Sequence, residues 1–133
     1  MPPERRSAGS AGDWLRYARS DLALCKGGRA EGVLPGMLCF HAQQAAEKSL
    51  KAVLVHHGME VIQTHNIGLL LDALQEHETL PAEVQDSAWL TRFAVTTRYP
   101  GDERPVSREE HNQAVSSAER VVAWATRTLA EDQ

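Results

Sequence analysis

The pattern of apolar and polar positions predicts a chain built from helices. The first predicted helix runs from Trp14 to about Lys26, with Asp13 as its N-cap. Gly27 and Gly28 follow the last apolar position and end this helix. Its apolar residues recur at spacings of four, four and three, which places them on one face: Trp14, Ala18, Leu22 and Cys25.

A longer second helix is predicted from about Pro35 to His57. Proline in a first turn costs no hydrogen bond, and Gly58 is a suitable C-terminal stop. Either Thr64 or Asn66 then opens a short third helix. The apolar residues of that helix are Ile67, Leu70, Leu71 and Leu74.

Two more helices complete the chain. Pro81 begins a fourth helix that reaches Phe93, and Gly101, which follows a proline, interrupts the chain. Ser107 and Glu110 form a capping-box pattern ahead of the last helix. The apolar face of that helix is the most regular in the chain: Ala114, Ala118, Val121, Val122, Ala125 and Leu129.

These elements predict an all-α fold. No segment alternates apolar and polar residues over a useful strand length, and short loops favour an antiparallel up-and-down bundle of four or five helices. A length of 133 residues suits one hydrophobic core. Residues 1–12 are rich in Pro, Gly and Ser and are expected to form a flexible tail, and residues 13–133 a single domain.

The central stretch from Phe40 to Val55 has two distinct sides. At about 100° per residue, an apolar side faces the core through Cys39, Ala42, Ala46, Leu50 and Val53. The opposite side is polar and consists of Gln44, Glu47, Lys48 and Lys51. Three apolar residues, Met37, Phe40 and Val55, project near this polar side. We infer that one side contacts the core and the other a partner chain or a ligand. The alternative is a solvated face with stray apolar neighbours.

Composition and charge exclude several classes of function. A formal net charge of −4 argues against a general polyanion binder. Cys25 and Cys39 are expected to be buried thiols of a reducing, cytoplasmic protein. The first residues do not resemble a signal peptide, and no apolar run is long enough to span a bilayer. Neither a metal site nor a cofactor is predicted, because the six histidines lack ligand spacing and no Gly-rich phosphate loop is present.

Three motifs resemble the HEPN domain family. The sequence from Gln44 to Ala52 is similar to the central helix of that family, and His65-Asn66-Ile67 is similar to its short third segment. The segment from Arg98 to Pro100 matches the Arg-Tyr-Pro that closes the next helix. Order and spacing fit over nearly the whole chain.

The resemblance implies a helical bundle that forms a homodimer. Small members of the family bind a minimal nucleotidyltransferase, in some cases as toxin and antitoxin. Other members bind nucleotides, and several branches are metal-independent ribonucleases. Whether this chain is an enzyme is therefore left open by the resemblance.

In the ribonuclease branches an Arg is followed by a His, with about four to six residues between them. In such a pair the His transfers a proton and the Arg stabilises charge on the phosphate. Arg98 has no His in that window, whereas Arg104 and His111 have suitable spacing but lie among acidic residues. Arg104 and His111 are thus the candidate catalytic pair of the alternative, enzymatic function.

A binding function depends on another set of residues. Lysine and arginine can pair with phosphates, and an aromatic ring can stack on a base or fill an interface. The candidate ligand- or partner-binding residues are Gln44, Glu47, Lys48, Lys51, His65, Arg98 and Tyr99. The alternative is that Glu47 and the lysines form surface ion pairs, and that His65 bonds within the fold.

Overall fold

The structure, a computed structural model, describes residues 9–27, 32–94 and 105–131. Five α-helices are present in these ranges, with a 3₁₀ helix after the fourth: α1 Ala11–Gly27, α2 Pro35–His56, α3 Ile67–Gln75, α4 Ala82–Gln85, the 3₁₀ helix Asp86–Phe93, and α5 Arg108–Glu131. The described residues contain no strand, which confirms the all-α prediction.

The start of α1 differs from the prediction. Ser10, not Asp13, is the N-cap: the Ser10 hydroxyl accepts from the Asp13 amide at 3.1 Å, and the Asp13 carboxylate accepts from the Ser10 amide at 3.2 Å. This reciprocal capping box satisfies two amides at the helix start, so the helix begins at Ala11. Helix α1 therefore begins before residue 13. The rest of the predicted tail, residues 1–8, lies outside the described residues.

The ends of α2 and α3 agree with the local sequence signals. Gly58 follows α2 with a φ of 76°, and its amide donates to Val55 at 2.9 Å. The Met59 amide donates to Leu54 at 2.9 Å, which completes a Schellman motif that only the left-handed glycine allows without strain. The Asn66 side chain caps α3 by accepting from the Gly68 amide at 2.9 Å.

The fourth predicted helix is only partly α-helical. It begins after Pro81, but from Asp86 the chain tightens into the 3₁₀ helix. At its start, α5 has the predicted cap, because the Ser107 hydroxyl accepts from the Glu110 amide at 3.0 Å.

Helix α2 lies at the centre and contacts α1, α3, the 3₁₀ helix and α5. The chain passes up α1 and down α2, because Trp14 contacts Lys51 whereas Asp21 contacts His41. The extended loop after α2 then returns along it, so that His65 reaches the middle of α2. As a consequence α3 runs parallel to α2 rather than antiparallel, which loop length alone could not indicate.

The core is mainly aliphatic and is formed by α1, α2, α3, the 3₁₀ helix and α5. Its largest fully buried apolar side chains are Phe93, Leu50, Leu54, Ile67, Leu70, Leu74, Leu90, Val53, Val84 and Val121. Cys25 and Cys39 are buried free thiols, as predicted. Within the part of the chain that the structure describes, every helix is too short or too polar to cross a bilayer.

Candidate functional site

The polar side of α2 is covered by other parts of the same chain. Glu47 is 3% exposed and Lys51 is 6% exposed, whereas Gln44 and Lys48 are half-buried. Helix α1 and the loop before α3 cover the buried pair, where we expected a partner chain or a ligand. Periodicity separates the two sides of a helix but cannot show that a third element packs over the polar one.

A hydrogen-bonded group surrounds the buried carboxylate, and we call it the Glu47 cluster: Gln43, Gln44, Glu47, Lys51 and His65. The Lys51 ammonium lies 2.9 Å from one carboxylate oxygen. The other oxygen lies 2.9 Å from His65 Nδ1 and 3.0 Å from Gln43 Nε2. Both oxygens of this buried group therefore have strong donors.

These donors keep the carboxylate charged. Burial alone raises the pKa of Glu47, but hydrogen bonds from Lys51, Gln43 and His65 outweigh it, and the net pKa is lowered. An ionised carboxylate only accepts hydrogen bonds, so His65 carries a proton on Nδ1. Nε2 lies on the other side of the ring and therefore points away from this carboxylate.

Gln43 fixes the backbone of the same histidine. Its amide nitrogen lies 3.1 Å from the His65 carbonyl oxygen, and the residue is fully buried. His65 is thus held at its ring and at its carbonyl. The sequence interpretation missed Gln43, although its spacing of four residues from Glu47 was visible.

A second polar group lies between α1 and α2, and we call it the Asp21 cluster: Asp21, His41 and Lys48. The carboxylate of Asp21 lies 2.9 Å from His41 Nδ1 and 2.7 Å from Lys48 Nζ. Lys48 Nζ also lies 5.9 Å from the centroid of the Tyr17 ring. Sequence analysis missed Asp21 and His41, because their pairing joins helices far apart in sequence.

Exposed apolar side chains lie on the same helix stripes as the Asp21 cluster. Tyr17 and Leu24 are four residues before and three residues after Asp21 on α1, and they are 57% and 52% exposed. Met37, four residues before His41 on α2, is 42% exposed. We call these three residues and the Asp21 cluster the seam face. It combines exposed apolar area with charges that are already paired.

A cleft of about 930 Å³ lies beside the Glu47 cluster. It is formed by the start of α1, the end of α2 and the loop before α3, and it is lined by Gly9, Trp14, Lys51, Val55, Met59, Glu60, Val61, Gln63, Thr64 and His65. The Lys51 ammonium lies 5.5 Å from the centroid of the Trp14 ring, a cation–π contact. The cleft thus brings together two predicted binding residues, Lys51 and His65.

The predicted catalytic histidine lies elsewhere. His111 is 5% exposed, and its Nε2 donates to the Cys25 carbonyl at 3.1 Å. It therefore joins the start of α5 to the end of α1. Arg98, Tyr99 and Arg104 lie outside the described residues.

His57 and His77 lie together just after the ends of α2 and α3. His57 Nε2 lies 2.6 Å from Glu78, and the His57 ring stacks on His77 with centroids 6.1 Å apart. Among residues 9–27, 32–94 and 105–131, no group of three or more His, Cys, Asp or Glu side chains is arranged to hold a metal ion.

The fold and its covered central helix define a class of small helical-bundle proteins, and comparison with known proteins identifies the family. The family model described as HEPN domain matches residues 11–129. The chain belongs to the HEPN domain family, as the sequence motifs predicted. The comparison with curated proteins finds no significant match.

Two solved structures share the fold over almost their full length. TT1696 from Thermus thermophilus is 32% identical, with a TM-score of 0.76, and the match covers 90% of this chain and 98% of that one. ST0689, an archaeal HEPN homologue, is 25% identical, with a TM-score of 0.70 and coverages of 91% and 98%. The similarity thus extends over the entire bundle.

Proposed function

We propose that the chain is a non-catalytic HEPN interaction module. It forms a homodimer, binds a minimal nucleotidyltransferase subunit in a toxin–antitoxin-like pair, and takes up a nucleotide. The observation that supports partner binding best is the seam face. Family membership supports the choice of partner.

The seam face has the chemistry of a protein interface. Tyrosine, methionine and leucine side chains that are half-exposed on one surface favour contact with another protein. Within this face, Asp21 is already paired with His41 and Lys48. A partner could cover the face without leaving a buried charge unpaired, which would otherwise be costly.

A substitution pair tests the homodimer. Leu24→Glu places a charge within the proposed contact, whereas Leu69→Glu makes the same change on α3, where the leucine is 50% exposed. Light scattering after size exclusion should show a dimer for the unmodified protein and for Leu69→Glu, and a folded monomer for Leu24→Glu. A monomeric unmodified protein, or a dimeric Leu24→Glu variant, would refute this interface.

Co-expression tests the nucleotidyltransferase partner. The protein should co-elute with the product of the neighbouring gene, and that product should be a minimal nucleotidyltransferase. Lys48→Glu places a second carboxylate beside Asp21 and should weaken co-elution. Separate elution of the two unmodified proteins would contradict the pairing.

We do not propose the alternative ribonuclease function based on Arg104 and His111. The buried position of His111, with Nε2 bound to a backbone carbonyl, leaves that nitrogen engaged within the fold. We expect the purified protein to leave RNA intact in EDTA. Cleavage that His111→Ala abolishes would establish the enzymatic function instead.

A further inference from the structure

The cleft beside the Glu47 cluster has the features of a small-molecule site. We propose that it binds the uncharged part of a nucleotide, the base and sugar, with His65 as the principal hydrogen-bonding group. This inference rests on nucleotide binding in the proposed function, and it specifies both the place and the recognised part.

The size and walls of the cleft fit an aromatic ligand. Its volume of about 930 Å³ lies within the range of about 300 to 1,000 Å³ that is usual for ligand pockets. Val55, Met59 and Val61 provide apolar surface, and Trp14 adds an aromatic side chain. A flat nucleobase can bury its faces against such groups, whereas a solvated ion cannot benefit from them.

His65 provides a hydrogen-bonding group in a fixed orientation. Its side chain is 53% exposed although Glu47 holds the ring and Gln43 holds the carbonyl. Because Nδ1 is engaged by Glu47, Nε2 is the ring nitrogen left for a ligand, and it can hydrogen-bond a sugar hydroxyl, which both donates and accepts. Because the ring is already fixed, little side-chain entropy is lost when the ligand binds.

The charges around the cleft do not favour a phosphate. The ammonium of Lys51 is paired with the buried Glu47, and Glu60 adds a second carboxylate to the lining. One positive charge thus faces two negative charges. At the start of α1, the Asp13 carboxylate already accepts from the Ser10 amide, so the positive end of the helix is also compensated. The phosphates of a bound nucleotide would therefore point outward.

An NMR titration with adenosine tests the site. In ¹⁵N spectra of the full chain, the indole N–H signal of Trp14 should shift on addition of adenosine. The indoles of Trp89, which donates to Ser117 at 2.9 Å, and of Trp124, which is 6% exposed, do not line the cleft and serve as internal controls. Adenosine 5′-monophosphate should bind no more tightly than adenosine, and inorganic phosphate should leave Trp14 unchanged.

A histidine pair provides the matched variants. His65→Gln should weaken adenosine binding by about three- to tenfold, because a fixed hydrogen bond is lost. His77→Gln removes an exposed histidine that does not line the cleft and should leave the affinity unchanged. Equal affinity in the His65→Gln variant and the unmodified protein would overturn the role of His65.

Two results would overturn the site itself. One is an unchanged Trp14 signal with adenosine and with uridine at millimolar concentration. The other is binding of the monophosphate more than tenfold tighter than adenosine, with competition by inorganic phosphate. If either occurs while the protein remains a dimer that co-elutes with its nucleotidyltransferase, the cleft assignment fails and the interaction module stands. If Trp14 shifts but no dimer or partner complex forms, the module fails and the nucleoside site stands.

Discussion

The ion pair between Lys51 and Glu47 gives a direct test of the buried polar contact. Their side chains are 7% and 3% exposed, so water can replace a lost partner only to a small extent. Removing one member of a buried pair costs about 3 to 5 kcal/mol, because an uncompensated charge is left behind. In Lys51→Met, Glu47 would keep donors from Gln43, Gln44 and His65. We therefore expect the lower end of that range, about 3 kcal/mol.

Urea unfolding and thermal unfolding, both followed by circular dichroism, measure this loss of unfolding free energy. A decrease of about 3 kcal/mol should lower the melting temperature by about 10 °C in a domain of this size. The matched control is Lys26→Met, because Lys26 forms an ion pair of 3.0 Å with Glu119 and both side chains are about half exposed. That exposed pair should contribute no more than about 1 kcal/mol.

A double substitution separates the charge from the packing. Glu47→Gln combined with Lys51→Met leaves no charged group at this position, and it should recover about half of the loss or more, since neutral replacements of buried pairs are well tolerated. If Lys51→Met destabilises the protein no more than Lys26→Met does, the pair is not energetically buried and the reasoning is wrong.

Three further predictions concern acid stability, capping and thiol reactivity. The lowered pKa of Glu47 predicts stability that is complete above its unfolded value of 4.5 and is lost as pH falls through the lower folded value, and Glu47→Gln should flatten this decline in acid denaturation curves. Ser10→Ala should cost about 1 kcal/mol of unfolding free energy, and no loss would contradict its capping role. Burial raises the pKa of Cys25 to about 12 and of Cys39 to about 11, from 9.0, so both thiols should resist a disulfide reagent at pH 8 until the protein unfolds. Rapid reaction of the native protein with the disulfide reagent would refute the burial of these thiols. The free energy of unfolding should also fall above pH 9, because the thiols then ionise in the unfolded chain but not in the folded one.

Local signals in the sequence placed most of the helices correctly. Gly58, Asn66 and Ser107 act within a few residues, so their effects could be predicted without knowledge of distant neighbours. The N-cap of α1 was misplaced because Ser10 and Asp13 are both good capping residues. Only the backbone geometry shows that they act as a reciprocal pair.

The candidate site was predicted only in part. The sequence identified Glu47, Lys51 and His65, and the structure joins them in one hydrogen-bonded group beside a cleft. It did not identify Gln43 or Trp14 as their neighbours. These contacts depend on the return of the loop along α2 and on the packing of α1, which no periodicity within a single helix can specify.

The sequence by itself determined the helical class, the family and the presence of a polar row on α2, because periodicity, capping and motif spacing are local properties. The tertiary structure alone decided what covers that row. Asp21 lies 27 residues from Lys48 and His65 lies 18 residues from Glu47, yet each pair is in hydrogen-bond contact. Such pairing follows from burying apolar surface on several helices at once, and that global requirement leaves no local trace in the chain.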